Sequence, residues 1–193
     1  MADFKNAFQK TMGHEGNYVH DPDDPGGETY KGIARRFNPG WKGWSTIDAL
    51  KDSNGFPGNI NSDPELQAEV ETFYKQHYWD KFWGDDIPDQ GLSNELFDTG
   101  VNMGVNRAVE FLQQGLNALN RNERNYLDIV VDGGFGPKTL EALASYLNKD
   151  QPGYLLKIMN ILQGMHYLNR MKQSPTQEKY ARGWLNRVTF NKL

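Results

Sequence analysis

A mainly α-helical fold, with one irregular or β-hairpin stretch after the first helix, is what this 193-residue sequence predicts. Three observations carry that reading. Apolar residues recur at helical spacing, as in Leu155, Ile158, Met159, Leu162, Met165 and Leu168. Helix starts are marked by Pro64, Pro137 and Pro152, each following a polar or glycine-rich turn. Turn-forming residues crowd one place: five Gly and three Pro lie between Asn17 and Trp44.

In chain order, residues 3–15 form the first expected helix, with Asp3 as its cap. Residues 17–44 follow as turns with a short hairpin. A short helix is expected over 46–51 and a loop over 54–64. Ser62-Asp63-Pro64-Glu65 then starts a helix that runs to about Trp79. Residues 93–103 and 106–119 read as two helices broken at Gly104. The turn Val131-Asp132-Gly133-Gly134-Phe135-Gly136 precedes a helix from Pro137 to about Leu147. Pro152 opens the longest helix, and Thr176 caps the last, which runs through Arg187.

Composition excludes several chemistries. With no cysteine there is no disulfide, thiolate zinc site, iron–sulfur cluster or cysteine nucleophile. Histidines 14, 20, 77 and 166 show no metal-binding spacing. Asp21, Asp23 and Asp24 invite a calcium loop, but Pro22 and Pro25 interrupt it and Gly32 stands where a bidentate glutamate belongs. No metal or organic cofactor is expected. No run approaches the roughly 18 apolar residues of a membrane span. The N-terminus lacks the apolar core of a signal peptide, so the expectation is synthesis in the cytoplasm and exit by another route. The net charge of −4 weighs against a general nucleic-acid binder. Charge is uneven, however: residues 155–193 carry +6 and residues 1–154 carry −10. That tail is either a solvated helix face or a surface for an anionic polymer.

One residue stands out. On a helix at about 100° per residue, Glu15 falls within the apolar stripe of Phe4, Phe8 and Met12. Carboxylates are rarely buried without a partner. Gly16 marks a helix C-terminus, whose dipole disfavours a negative charge. Burial and dipole both push a carboxyl pKa upward, toward what a general acid needs. The competing reading is a frayed helix end, or a glutamate paired to an arginine.

The next segment runs His14-Glu15-Gly16-Asn17-Tyr18-Val19-His20-Asp21-Pro22-Asp23-Asp24-Pro25-Gly26-Gly27-Glu28-Thr29-Tyr30-Lys31-Gly32-Ile33. It resembles the start of the N-acetylmuramidases of glycoside hydrolase family 108. In that family a helix ends in Glu-Gly-Gly-Tyr, and Asp-Pro-x-Asp-Pro-Gly-Gly-x-Thr-x-x-Gly-Ile follows. Asn17 departs from the second glycine, and Asn tolerates a left-handed backbone better than most residues. The resemblance implies a lysozyme-like fold, peptidoglycan as substrate and Glu15 as catalytic acid. It also implies a second carboxylate, for which Asp21, Asp23, Asp24 and Glu28 are available. Phage-type lysozymes place an aspartate nine residues after the glutamate, and Asp24 has that spacing. Thr29 or Tyr30 then falls near their active-site threonine. Tyr18 shares the same segment, and with Thr29 and Tyr30 is taken as substrate-binding.

Residues 73–83 hold seven aromatic or His residues among eleven. Such rings stack on sugars or fill a core. Phe73 and Trp83 are expected in the core, while Tyr78 and Trp79 stay open between core and glycan groove. From about Glu95 the chain resembles the peptidoglycan-binding module that follows this catalytic segment. The match lies in Leu96 to Gly104, Ala108 to Gln114, Val131 to Thr139 and Gly183 to Val188. Asp98 and Asn102 share one helix face and either line a cleft floor or bond another helix. Trp184 reads as an anchor for the last helix.

The expectation is a catalytic segment over 1–92 and a binding-like segment over 93–193, packed as one lysozyme-like body. The resemblance implies hydrolysis of the β-1,4 bond between N-acetylmuramic acid and N-acetylglucosamine in wall glycan strands, for a phage, prophage or bacterial source alike; a monomer is the expected state. The alternative is a non-catalytic wall-binding or secretion-accessory protein. An amidase or peptidase lacks a Cys or zinc site.

Overall fold

The computed structural model describes residues 1–12, 18–20 and 26–189. The chain divides into two compact units, Phe4–Asp80 and Met1–Asp3 with Lys81–Leu193. Among the described residues no helix is long and apolar enough to cross a membrane.

The first unit begins with α1 (Phe4–Met12), which buries Ala7 and Thr11. A small antiparallel sheet follows in the order β1 (Val19–His20), β2 (Glu28–Tyr30), β3 (Ile33–Ala34). Val19 pairs with Thr29 and His20 with Glu28, then Thr29 with Ala34 and Tyr30 with Ile33. The expected hairpin region is therefore a three-stranded meander. Its tight second turn needs Gly32 at φ +79°, and a Cβ there would meet the Tyr74 hydroxyl at 2.7 Å.

Next come α2 (Gly43–Leu50), a 3₁₀ turn over Gly58–Ser62 and α3 (Pro64–Tyr74). Asp63 caps α3 by accepting from the Leu66 N–H at 2.8 Å, with Pro64 in the first turn where no N–H is needed. A π-helical turn over Lys75–Trp79 continues α3 to Trp79, its expected end. Ile33, Trp44, Ile47, Ile60, Leu66, Val70, Tyr74 and Trp79 form this unit's core.

The second unit is helical: α4 (Gln90–Met103), α5 (Val105–Leu119), α6 (Pro137–Leu147), α7 (Pro152–Gln173) and α8 (Ala181–Leu185). Helix α4 starts earlier than expected because Asp89 supplies the cap, accepting from the Leu92 N–H at 2.8 Å. Gly104 breaks α4 from α5 at φ +88°. Helices α4 and α5 both pack on α7. A Cβ at Gly115 would lie 2.6 Å from Leu155 Cδ1, so α5 and α7 approach closely.

Three expectations fail here for physical reasons. The last helix is not continuous. Pro175–Tyr180 is a 3₁₀ run with no side-chain cap, Thr176 pairs with Ser174, and only Ala181–Leu185 is α-helical. The stripe of α7 is only partly buried. Leu155 and Met159 are core, but the buried face continues through Gln163 and Tyr167, leaving Met165 52% and Leu168 58% exposed. The Gln163 amide donates to Thr99 Oγ1 at 3.0 Å, which lets a polar residue take the buried position. Finally, Trp83 is not core: it is 37% exposed at φ +52°.

The turn before α6 forms as predicted, with a determinant outside the motif. Gln113 Oε1 accepts from the N–H groups of Asp132 and Gly133, both at 3.0 Å. Its amide donates to Gly134 O and Asp132 Oδ1, also at 3.0 Å.

Candidate functional site

Glu15 and Asp24 lie outside the described residues, as do Asp21 and Asp23. The described part of the motif is the sheet. Side chains alternate along β2, so Glu28 and Tyr30 face one side and Thr29 the other. Glu28 is 8% exposed, Tyr30 is fully buried and Thr29 is half-buried.

A nearly buried carboxylate requires compensation. Glu28 receives it from two cations of the same unit. Arg35 Nε lies 2.8 Å from Oε2, and Lys51 Nζ lies 2.9 Å from Oε1. The Tyr18 hydroxyl donates to Oε1 at 2.8 Å. Both cations also hold Asp48. Arg35 reaches its two oxygens at 2.8 and 3.0 Å, and Lys51 donates at 2.8 Å. The Arg35 guanidinium lies 4.5 Å from the centre of the Trp44 ring. The result is a closed square of two carboxylates and two cations that ties β2 and Arg35 to α2 and the residue after it.

The electrostatics follow from those contacts. The hydrogen bond from Arg35, then that from Lys51, holds the Asp48 carboxyl down to about 2. The same Asp48 bond raises Arg35. Burial works against the Lys51 charge, but its bonds to Asp48 and Glu28 outweigh this and its pKa rises. Burial, then the bond to Glu28, pushes Tyr18 up to about 12. Tyr18 is therefore a neutral phenol whose proton is committed to Glu28. Both Glu28 oxygens are engaged, which makes Glu28 a structural anion. Of the four acids available as second carboxylate, it is the one the described structure assigns elsewhere.

Tyr30 is likewise structural. Its hydroxyl is shared between Ile60 O at 3.3 Å and Asn61 Oδ1 at 3.2 Å, and accepts from Gln67 at 2.8 Å. Burial raises its pKa. The choice left open at Trp79 resolves to core: it is fully buried, with Phe4 edge-on at 5.7 Å. Tyr78 is half-buried and stacks on Tyr74 at 5.4 Å, and burial raises its pKa. Of the sheet and α3 residues predicted to touch substrate, Tyr18, Thr29 and Tyr78 retain exposed surface.

The aromatic run does reach a groove, through different residues. Phe73 and His77 line a pocket of ≈ 400 Å³ with Trp41, Asn38, Glu69 and Gln76. The His77 ring stacks on Phe73 at 4.1 Å, and the Trp41 indole N–H donates to Glu69 O at 3.3 Å. A Cβ at Gly43 would overlap the six-membered ring of Trp41, so glycine there seats the ring.

In the second unit Asp98 pairs with Arg187 Nη1 at 2.6 Å, which brings together two stretches of the sequence motif. Asn102 is exposed and donates to Asp98 O of its own helix at 2.8 Å. Trp184 stacks on Tyr167 at 5.1 Å, as an anchor should. Among the described residues no group of His, Asp or Glu is placed to hold a metal ion. The sequence reading missed Arg35, Asp48 and Lys51, whose only signal was the three-residue spacing of Asp48 and Lys51.

Comparison with known proteins bears on both halves. The family model for glycosyl hydrolase 108 matches residues 8–104, and that for a predicted peptidoglycan domain matches residues 107–189. A solved structure of SagA from Brucella abortus is similar at 26% identity and a TM-score of 0.59, over 96% of this chain and 88% of that one. No curated protein matches.

Proposed function

This chain belongs to the glycosyl hydrolase 108 family, and from that premise we propose that it is an N-acetylmuramidase. Its fold is mainly helical and lysozyme-like, and its two matched models together support peptidoglycan hydrolysis or binding. The observation that carries the finer reading is that the residues matched to the hydrolase family, 8–104, include both Glu15 and Asp24. The substrate is the β-1,4 bond between N-acetylmuramic acid and N-acetylglucosamine.

In this mechanism Glu15 protonates the leaving glycosidic oxygen as the sugar takes on oxocarbenium character, and a second carboxylate serves as nucleophile or as base for water. Asp24 fills that second role. The ion pairs of Glu28 narrow the choice to Asp21, Asp23 and Asp24, of which Asp24 has the nine-residue spacing from Glu15. Tyr18, neutral and bonded to Glu28, positions the hairpin, while Thr29 and Tyr78 offer polar and aromatic surface to glycan. Asp98, paired to Arg187, holds the last helical segment; Asn102 remains a glycan contact. The protein acts on the wall after leaving the cytoplasm, as a monomer and without a cofactor.

Mass spectrometry of digested peptidoglycan tests the proposal. Fragments ending in reducing N-acetylmuramic acid are expected, and Glu15→Gln should lower their yield by 10²–10⁴-fold, the usual cost of losing a general acid. Reducing N-acetylglucosamine ends, or cleaved stem peptides alone, would refute it. Sacculus binding with no release of fragments would favour the non-catalytic alternative.

A further inference from the structure

Helix α7 carries two apolar faces. At about 100° per residue, Leu155, Met159, Gln163 and Tyr167 share one side, and all four are buried. Tyr154, Ile161, Met165 and Leu168 lie on the opposite side and are 44%, 42%, 52% and 58% exposed. On that outer side they fall within about 60° of one another, as a stripe about 21 Å long. Lys157 and Lys172 fall in the same sector toward its two ends, and α7 contains no acidic residue. A surface helix normally turns polar residues outward, so an exposed apolar stripe marks an interaction surface.

We propose that this outer face of α7 docks peripherally on an anionic lipid surface. Two observations select that occupant. Four side chains, each about half exposed, fall well short of the roughly 800 Å² per partner that a stable dimer buries. A lipid interface needs no such area: it takes a shallow apolar strip with cations beside it, which bind anionic headgroups. The charge also matches on that face, where Lys157 and Lys172 flank the apolar strip and α7 carries no acid to oppose them. Ile161, Met165 and Leu168 would enter the headgroup boundary, and Lys157 and Lys172 would meet phosphate. The helix lies on the surface and does not span it.

Co-sedimentation of the intact protein with vesicles tests this. Binding is expected to vesicles of phosphatidylglycerol and phosphatidylcholine, and not to phosphatidylcholine alone. Met165→Glu with Leu168→Glu should abolish it. Lys157→Gln and Lys172→Gln should each weaken it about fivefold, the ratio corresponding to about 1 kcal/mol per cation near an anionic surface. All these positions are on the outer face, so melting temperature should hold in every variant. The proposal is overturned by absence of binding to the anionic vesicles, or by undiminished binding of the two-glutamate variant. It is also overturned if light scattering finds a dimer that this variant dissociates, or if the variant loses only its retention on purified sacculi.

Discussion

Replacing Glu28 with Gln isolates the charge at the centre of the hairpin anchor. The amide keeps the volume and can still accept from the Tyr18 hydroxyl. It cannot neutralise Arg35 and Lys51, whose side chains are 30% and 34% exposed against 7% for Glu28. Breaking a fully buried pair costs about 3–5 kcal/mol, and exposed pairs are worth about 0.2–1. The buried anion and part-exposed cations place this case between those limits, at about 2 kcal/mol. In a chain of this size that lowers the melting temperature by about 4–8 °C. Thermal unfolding followed by far-ultraviolet circular dichroism measures it. Asp48 remains to hold both cations, so Glu28→Gln with Asp48→Asn should lose more than the sum of the two single variants. A melting temperature unchanged within a degree would show that Glu28 is dispensable, and would return it to the pool of second-carboxylate candidates.

Other outcomes follow from the same geometry. Asp24→Asn should cost activity on a scale comparable to Glu15→Gln, measured on purified peptidoglycan, whereas a loss below tenfold would move the role to Asp21 or Asp23. The Asp48 carboxyl sits at about 2 when folded and near the usual ~3.9 when unfolded, so its stabilisation is complete above pH ~4 and is lost as pH falls toward 2. Asp48→Asn should therefore flatten the melting temperature against pH over that interval, modestly because Asp48 is about half exposed, and identical slopes would refute the assignment. Trp79→Ala should cost about 3–5 kcal/mol in denaturant unfolding, as for any fully buried aromatic, and Trp83→Ala much less; equal losses would contradict their burial. Gln113→Leu should cost about 2–3 kcal/mol by leaving the Asp132 and Gly133 N–H groups without their acceptor, and an unchanged stability would show that another group satisfies them.

Helix starts were the most legible feature of the fold, because their signals are local. Pro64, Pro137 and Pro152 each open a helix in the structure. Helix α4 began three residues early because its cap, Asp89, stands before a stretch with little apolar periodicity. The face of α7 was misjudged for a related reason. Periodicity shows that apolar residues share a side but not which side is covered. Gln163 reads as polar and surface-bound until Thr99, 64 residues away, gives its amide a buried partner. Trp83 failed similarly, since a left-handed backbone after the π-helical and 3₁₀ turns carries no compositional mark.

The site divides along the same line. The motif from Glu15 to Ile33 was legible as a motif because its residues are contiguous, and the family match to residues 8–104 contains it whole. What it does not contain is the charge balance that holds it. Glu28 sits inside the motif, while Arg35, Asp48 and Lys51 come after it, and no periodicity links an arginine after a strand to the end of a helix. The motif alone offers four acids and favours Asp24 by its nine-residue spacing from Glu15. The folded chain adds one distinction: Glu28 is nearly buried, with its oxygens paired to an arginine, a lysine and a tyrosine hydroxyl, and has little surface to offer a sugar. Glu28 is thereby separated from Asp21, Asp23 and Asp24 by chemistry that only the folded chain brings together. The same contacts explain why a hairpin of such short strands can hold its register: β1 contributes two residues, and the Tyr18–Glu28 bond beside it supplies a link that two ladder pairs alone would lack.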